Sequence, residues 1–238
     1  MAAQAPGGKI EVEPMTKREE AGKRNLFREM STGVQAMRDH RKGRLELRSH
    51  KVELPMAYQL RVTLMEGDPP IWRRLRVPGS TTLPRLDRII QTAMGWTNSH
   101  LHTFTTGGVI YAVPHPEWGI DVKDERRVRL DRIAKEEGEA FVYEYDMGDC
   151  WQHQVLVEKV GADSIGAEGA VCLSGERACP PEDCGGVHGY YGTLEILRNP
   201  RHDEYKHTKT WIESMTGGPF DPDAFDIEAV NAALKALR

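Results

Sequence analysis

Three cysteines and a histidine lie close together in the second half of the chain, at Cys172, Cys179, Cys184 and His188. Six, four and three residues separate them, and the segment also holds a Pro-Pro pair and the glycines Gly185 and Gly186. Thiolate sulfur and imidazole nitrogen in a tetrahedron are the usual ligands of structural Zn²⁺. Because the paired CxxC knuckles of typical zinc sites are missing, two interpretations stay open: a zinc site, and packed or incidental free thiols.

A second set of possible metal ligands consists of His100, His102 and His153. Alternate residues of a strand share a face, so His100 and His102 are expected to project the same way. Together with Asp146 or Asp149 they could bind a divalent metal, and a water molecule on that metal would be a hydrolytic nucleophile. The alternative is that these histidines cap turns or hydrogen-bond to carbonyl groups.

The stretch YEYDMGDCWQH, residues 143–153, combines aromatic and acidic side chains around one glycine. Tyr143, Tyr145 and Trp151 either pack the sheet or form a binding platform on which Asp146 and Asp149 accept hydrogen bonds from a ligand. Acids at this spacing in a turn commonly bond to their own backbone instead. We expect Gly148 to supply a positive φ to this turn.

Two arginines follow Trp72 in an apolar stretch. Strand alternation places Arg73 on the face opposite Trp72 and Arg74. These cations could belong to a basic surface that contacts phosphate groups, or they could protect a solvated strand edge.

Hydrophobic periodicity indicates the elements that position these residues. Alternation predicts a hairpin, and a period of 3.6 predicts helices. Thr82 and Gly95 are expected to cap the first helix of the core, and Asp226 the last. The segment 161–184 is expected to be a loop. The predicted strands are 58–64, 71–77, 101–105, 109–113, 140–145 and 151–160, and the predicted helices are 83–94, 190–197, 204–215 and 227–237. The fold class is therefore α+β, an antiparallel sheet built from hairpins with a helix after the first hairpin and a C-terminal helical segment.

Residues 1–55 differ from the rest of the chain. Eleven Lys or Arg lie between Lys17 and Lys51. A predicted helix from Lys23 to His40 carries one narrow apolar stripe on a basic body. This extension is interpreted either as a solvated tail or as a segment that folds against a partner protein or nucleic acid, and residues 56–238 form the main domain.

The composition is that of a soluble globular protein, with 39% hydrophobic and 29% charged residues. No apolar run approaches the ~20 residues of a membrane helix, and the N-terminus lacks the pattern of a signal peptide. We therefore expect a cytoplasmic protein with no membrane association and with reduced cysteines. The net charge of −4 argues against strong non-specific DNA binding by the whole chain.

Five ordered motifs resemble one known family. They are Trp72-Arg73-Arg74, GWTNSHLHTF at 95–104, YEYDMGDCWQH at 143–153, CLSGERACPPEDCGG at 172–186 and FDPDAFDIEAVN at 220–231. In this order they are similar to the plasmid pRiA-type ORF-three-like family, whose members are also labelled insertion-element passenger or TnpR proteins. The resemblance covers about 57–236. It implies a protein of plasmids and mobile elements, and it supplies no catalytic residues.

A second resemblance concerns residues 23–55. They are similar to the leader that precedes the DNA-binding domain in helix-turn-helix antitoxins of the host-inhibition-of-growth type. The helix-turn-helix itself does not follow in this chain. The resemblance implies a partner-binding leader joined to a different module.

Three functions are compatible with these patterns. The leading hypothesis is a non-enzymatic adaptor carried by a mobile element, which binds protein or nucleic acid. The second is a metal-dependent phosphoester hydrolase that uses His and Asp near residues 143–153. The third is a structural zinc domain without catalysis.

Overall fold

The computed structural model describes residues 26–44, 56–115, 119, 121–162 and 169–237. The chain divides into two units between Val52 and Glu53. In the first unit, α1 (Leu26–Arg41) is a helix with Glu29 in its first turn and Arg38 and Arg41 in its last. An acidic residue at the start and basic residues at the end of a helix interact favourably with its dipole and stabilise the helix. The predicted residues 23–25 of this helix lie outside the described residues.

The second unit is built on one eight-stranded sheet with the order β5-β4-β3-β6-β7-β1-β2-β8. Every neighbouring pair is antiparallel except β4 and β5. The predicted α+β class is confirmed. The strands are β1 (Met56–Leu64), β2 (Trp72–Pro78), β3 (His102–Thr106), β4 (Val109–Ala112), β5 (Lys123–Asp124), β6 (Ala140–Tyr145), β7 (Trp151–Ala162) and β8 (Val171–Glu176).

Five helices accompany the sheet, together with a 3₁₀ turn at Glu125–Arg127. α2 places the apolar positions Leu83, Leu86, Ile89 and Ile90 in the same core as the inner face of the sheet. The helices are α2 (Leu83–Met94), the single turn α3 (Leu130–Ile133), α4 (Gly186–Arg198), α5 (Tyr205–Thr216) and α6 (Ile227–Ala236).

The core follows the predicted alternation of β1. Tyr58, Leu60, Val62 and Leu64 are buried, whereas Gln59, Arg61 and Thr63 are half-buried on the other face. Each fully buried aliphatic side chain contributes about 1.5–3 kcal/mol relative to an exposed one. The hydrophobic pattern therefore fixes the register of the central strand, since a slip of one residue would expose all four.

Two local predictions need correction. β8 lies within the segment predicted to be a loop, where it pairs with β2 between Trp72↔Glu176 and Arg76↔Val171. The strand is only six residues long, and its second half is Ser-Gly-Glu, so its sequence shows no alternation of apolar and polar residues. α2 begins after Thr82 as predicted, but the Thr82 side chain makes no capping hydrogen bond. The predicted caps at Gly95, with φ +119°, and at Asp226, which accepts from two backbone N–H groups, are confirmed.

No helix in the described parts of the chain has the length and apolar character needed to cross a bilayer.

Candidate functional site: a His–Asp–Asp cluster

One group of side chains in the described residues has the geometry of a metal site: His100, Asp146 and Asp183. His100 precedes β3, Asp146 follows β6, and Asp183 lies between β8 and α4. His100 Nδ1 is 3.5 Å from Asp146 Oδ2, and its Nε2 is 3.3 Å from Asp183 Oδ1. Glu182 is also near, with Oε2 3.5 Å from the same Nε2. Three separate loops thus bring one imidazole and three carboxylates together.

The turn between β6 and β7 holds Asp146 in an unusual backbone conformation, with φ +56°. Its N–H donates to Leu101 O at 2.9 Å, and its Oδ1 accepts from the N–H of Gly148, also at 2.9 Å. The expectation that a turn acid bonds to its own backbone is thus met by Oδ1, whereas Oδ2 faces His100. The expectation of a positive φ at Gly148 is wrong, because Asp146 and Cys150 take the left-handed conformations instead.

A close approach of two backbones sets the distance between the turn and the Asp183 loop. Gly186 begins α4 with φ +68°, and a Cβ at this position would lie 2.4 Å from Asp149 O. Next to it, the N–H of Gly185 donates to Asp149 Oδ2 at 3.0 Å. Asp149, predicted as a ligand-binding residue, therefore fastens the two loops together. Only glycine permits this contact at this φ.

Tyr145 links the His100 loop to the Glu182 loop. Its hydroxyl accepts from the N–H groups of Ser99 and His100, at 3.0 and 3.3 Å, and donates to Glu182 Oε1 at 3.1 Å. The ring stacks on Trp96 with a centroid separation of 4.8 Å. Burial raises the pKa of Tyr145 to about 12, and the charge of Glu182 adds to the rise, so the phenol stays a donor at neutral pH.

The donor atoms of the cluster suit a divalent cation. One ring nitrogen of His100 and one carboxylate oxygen each of Asp146 and Asp183 all lie within 4.8 Å of one another. Ligands at ~2.1 Å from one ion lie at most ~4.2 Å apart, so a small rotation would close the set. The Asp183 side chain is 67% exposed and free to make it. One nitrogen with two or three carboxylate oxygens fits Zn²⁺ or Mn²⁺.

The cluster borders an open pocket of about 550 Å³. His100 and Asp146 line it, and His102 does too. Asn98 and Ser99 add polar groups, and the remaining lining residues are Leu101, Met147 and Gly148. The pocket therefore reaches His100 and Asp146, whereas Glu182 and Asp183 are not among its lining residues.

His102 points to a second, more buried group of carboxylates. Its Nδ1 is 3.2 Å from Asp87 Oδ1, and its Nε2 is 2.9 Å from Glu125 Oε1. Burial alone lowers the pKa of His102, but the hydrogen bond to Glu125 and the charges of Asp87 and Glu125 outweigh it, so the pKa is raised. His100 and His102 thus share the pocket, as their spacing predicted, but bind different partners.

Four of the predicted site residues have no solvent-exposed surface, namely Tyr143, Tyr145, Trp151 and His153. The Tyr143 hydroxyl donates to Asp87 Oδ1 at 2.7 Å. Burial lowers the pKa of His153 to about 4. Neither a platform of Tyr143 and Trp151 nor a metal set that includes His153 agrees with this arrangement, because these side chains pack the inner face of the sheet.

The predicted cysteine and histidine set does not converge. Cys172, Cys179, Cys184 and His188 are all described, and they form no metal-ligating group. All three thiols are free, and His188 is exposed on α4. Burial raises the pKa of the Cys184 thiol to about 12, and it also raises the pKa values of the other two. The structure therefore favours packed thiols over structural zinc.

The two arginines are occupied within the fold. Arg73 is only 2% exposed, and its guanidinium donates to the backbone carbonyls of Ala93, Trp72, Glu176 and Arg177 at 2.8–2.9 Å. Arg73 therefore does not belong to a basic surface. Arg74 is half-buried and pairs in bidentate fashion with Glu158, at 2.6 and 2.8 Å.

Comparison with known proteins places this site in a family context. Residues 56–229 match the model of the plasmid pRiA4b ORF-3-like proteins. The chain belongs to this family. The uncharacterized protein y4hQ of Sinorhizobium fredii (strain NBRC 101917 / NGR234) is 38% identical over 180 residues, which cover 75% of this chain and 91% of that protein. A crystal structure of MM3350 from Methanosarcina mazei Go1, a protein of unknown function, has a TM-score of 0.66 and 33% identity, covering 74% of this chain and 98% of that one.

These matches confirm the family predicted from the ordered motifs. The family match begins at residue 56, after the basic extension. The resemblance of residues 23–55 to an antitoxin leader therefore stays a prediction, as does the link to insertion elements. The relatives are themselves uncharacterised, and the function of this family member must be argued from its own site.

Proposed function

We propose that this protein is a divalent-metal-dependent hydrolase. The observation that carries the proposal is the convergence of His100, Asp146 and Asp183 beside an open pocket that His100 and Asp146 line. Bound to Zn²⁺ or a similar ion, water loses a proton near pH 7 and becomes a nucleophile. The second hypothesis from the sequence was a metal-dependent phosphoester hydrolase that uses His and Asp near residues 143–153, and the ligand group of His100 and Asp146 supports its metal site.

The surrounding residues have distinct roles in this proposal. Asp149 and Gly186 hold the ligand loops at a fixed distance. Tyr145 and Thr97 orient Glu182 by donating hydrogen bonds to its carboxylate, which lies beside His100 and would accept the proton of the attacking water. A metal centre needs such supporting hydrogen bonds, because they restrict the ligand side chains to one geometry.

Isothermal titration with Mn²⁺ and Zn²⁺ tests the proposal. We expect one ion per chain, and we expect Asp146→Asn to weaken binding at least tenfold, because one carboxylate ligand is lost. His188→Asn is the matched control, since His188 is exposed and lies outside the cluster. Wild-type protein that binds no ion, or an Asp146→Asn variant that binds as tightly as wild type, would contradict the proposal.

A specific observation on α1 also favours the adaptor hypothesis. Met30, Val34 and Met37 lie on one helical face and are 65%, 48% and 64% exposed. Arg38 and Arg41 follow at the basic end. An exposed apolar stripe with a cationic end fits an apolar groove with an acidic rim on a protein partner. In this second proposal the chain is a non-enzymatic adaptor that binds its partner through α1.

The adaptor proposal is tested by crosslinking in cells with the full chain. A triple variant, Met30→Ser, Val34→Ser and Met37→Ser, should lose a protein partner that the wild type retains. Met215→Ser is the matched control, because Met215 is also exposed but lies on α5. Equal recovery of the same partner by the triple variant would contradict it, and recovery of nucleic acid alone would favour the basic segment as an electrostatic anchor.

A further inference from the structure

We propose that the His100–Asp146–Asp183 centre acts on an uncharged carbonyl compound, an ester or amide with a small apolar group, rather than on a phosphoester. The inference rests on the proposed hydrolase function and specifies its substrate class. Three features of the pocket carry it: the balance of charge, the absence of a free cationic donor in its lining, and its apolar walls.

The charge around the ligand cluster is negative. Asp146, Glu182 and Asp183 supply three carboxylates, whereas a divalent ion supplies two positive charges. Neither lysine nor arginine is among the residues that line the pocket. Phosphoryl transfer depends on cationic groups that neutralise the oxygens of the transferring group. A phosphate ester would therefore enter an acidic pocket without such groups.

His102 also lines the pocket. Both of its ring nitrogens face carboxylates, because Nδ1 is 3.2 Å from Asp87 Oδ1 and Nε2 is 2.9 Å from Glu125 Oε1. His102 therefore has no N–H free to donate to a phosphate.

Two apolar side chains, Leu101 and Met147, are among the residues that line the pocket and form its apolar wall. Leu101 is 55% exposed, and Met147 is also exposed, although each lies beside a polar ligand residue. Large apolar side chains at the mouth of a pocket provide contact area for an apolar part of a ligand. A neutral acyl group can pack against the apolar wall, and it is not repelled by the carboxylates as an anion would be.

The reaction is a hydrolysis without redox change. A divalent ion held by His100, Asp146 and Asp183 would supply an activated water. The oxygen of that water would form a bond to the carbonyl carbon, while one water proton would pass to the Glu182 carboxylate. As the bond from carbon to the ester oxygen or amide nitrogen breaks, Glu182 would return that proton to the leaving group. The products are a carboxylic acid and an alcohol or amine, so atoms and protons balance.

The test compares p-nitrophenyl butyrate with p-nitrophenyl phosphate on full-length protein loaded with Mn²⁺ or Zn²⁺. We expect butyrate hydrolysis at least ~100-fold above that by the free ion, loss of this activity in Asp146→Asn, and phosphate hydrolysis at background. Asp203→Asn, an exposed carboxylate on another loop, is the matched control and should retain the activity.

The apolar wall has its own test. Met147→Ser should lower the ratio of kcat/KM for butyrate over acetate about tenfold, since two methylene groups lose their contact. Hydrolysis of the phosphate ester at a rate equal to or above that of butyrate would overturn the inference. So would an ion bound at full stoichiometry with neither ester hydrolysed. If no ion binds at all, the proposed function itself fails.

Discussion

Replacing Gly186 with alanine should damage the candidate metal site through two separable effects. The first is backbone strain, because φ at Gly186 is +68° and an L-residue in this region costs ~1–2 kcal/mol. The second is overlap, because the new Cβ would lie 2.4 Å from Asp149 O, so one backbone must move by about 1 Å to reach ordinary contact. Overpacking of this kind adds typically ~1–3 kcal/mol.

Gly185→Ala is the matched control for this prediction. Its φ is +82°, but the nearest atom to its new Cβ is the Cα of Gly189 at 3.6 Å, which is ordinary contact. Urea unfolding should therefore show a loss of ~1–2 kcal/mol for Gly185→Ala and ~2–5 kcal/mol for Gly186→Ala. Because only the second change shifts the Asp183 loop, it alone should also weaken Mn²⁺ binding, by ~10–100-fold. Equal effects of the two variants would refute the idea that this contact sets the geometry of the site.

The remaining predictions concern the fold around the site. Arg73→Met should cost ~3–5 kcal/mol, because buried carbonyl groups lose their donor, whereas Arg74→Met should cost ~1 kcal/mol or less; comparable urea midpoints would contradict the buried role of Arg73. His153 has a pKa of about 4 in the folded protein and ~6.5 when unfolded, so stability should fall by up to ~3 kcal/mol as the pH drops from 6.5 to 4, and His153→Leu should flatten that dependence; a pH profile unchanged by this variant would count against its burial. Cys184→Ser should leave the stoichiometry of metal binding unchanged, and a variant that no longer binds the ion would instead support a metal site formed by the thiols. Limited proteolysis should leave a stable fragment that begins near Ala57, and a resistant extension would argue against a separable N-terminal segment.

Much of the fold is predictable from local pattern. The alternation of β1 and the 3.6-residue period of α2 indicate which side chains face the core, and the predicted bounds of both elements agree closely with the structure. β8 has no alternating pattern, because three of its six residues are Ser, Gly and Glu, and it is an edge strand that pairs on one side only. Its position in the sheet depends on pairing with β2, and a local sequence pattern does not reveal such pairing.

Half of the candidate site is predictable in the same way. His100 and Asp146 were identified by residue type, but their partners Glu182 and Asp183 are ordinary loop acids about eighty residues from His100. A signal did exist in the adjacent Gly185-Gly186 pair, which indicates a close backbone approach. Arg73 and His153 were predicted as site residues from their polar type alone. Such residue types indicate function only where they reach solvent, and both residues are buried.

The measurement that tests the central claim most directly is the anomalous diffraction of crystals soaked in Mn²⁺. The account predicts one strong peak at ~2.0–2.3 Å from a His100 nitrogen and from carboxylate oxygens of Asp146 and Asp183, with Glu182 within reach of the ion or of a water bound to it. A peak bound by the thiols of Cys172, Cys179 or Cys184, or no peak at this cluster at saturating Mn²⁺, would contradict it.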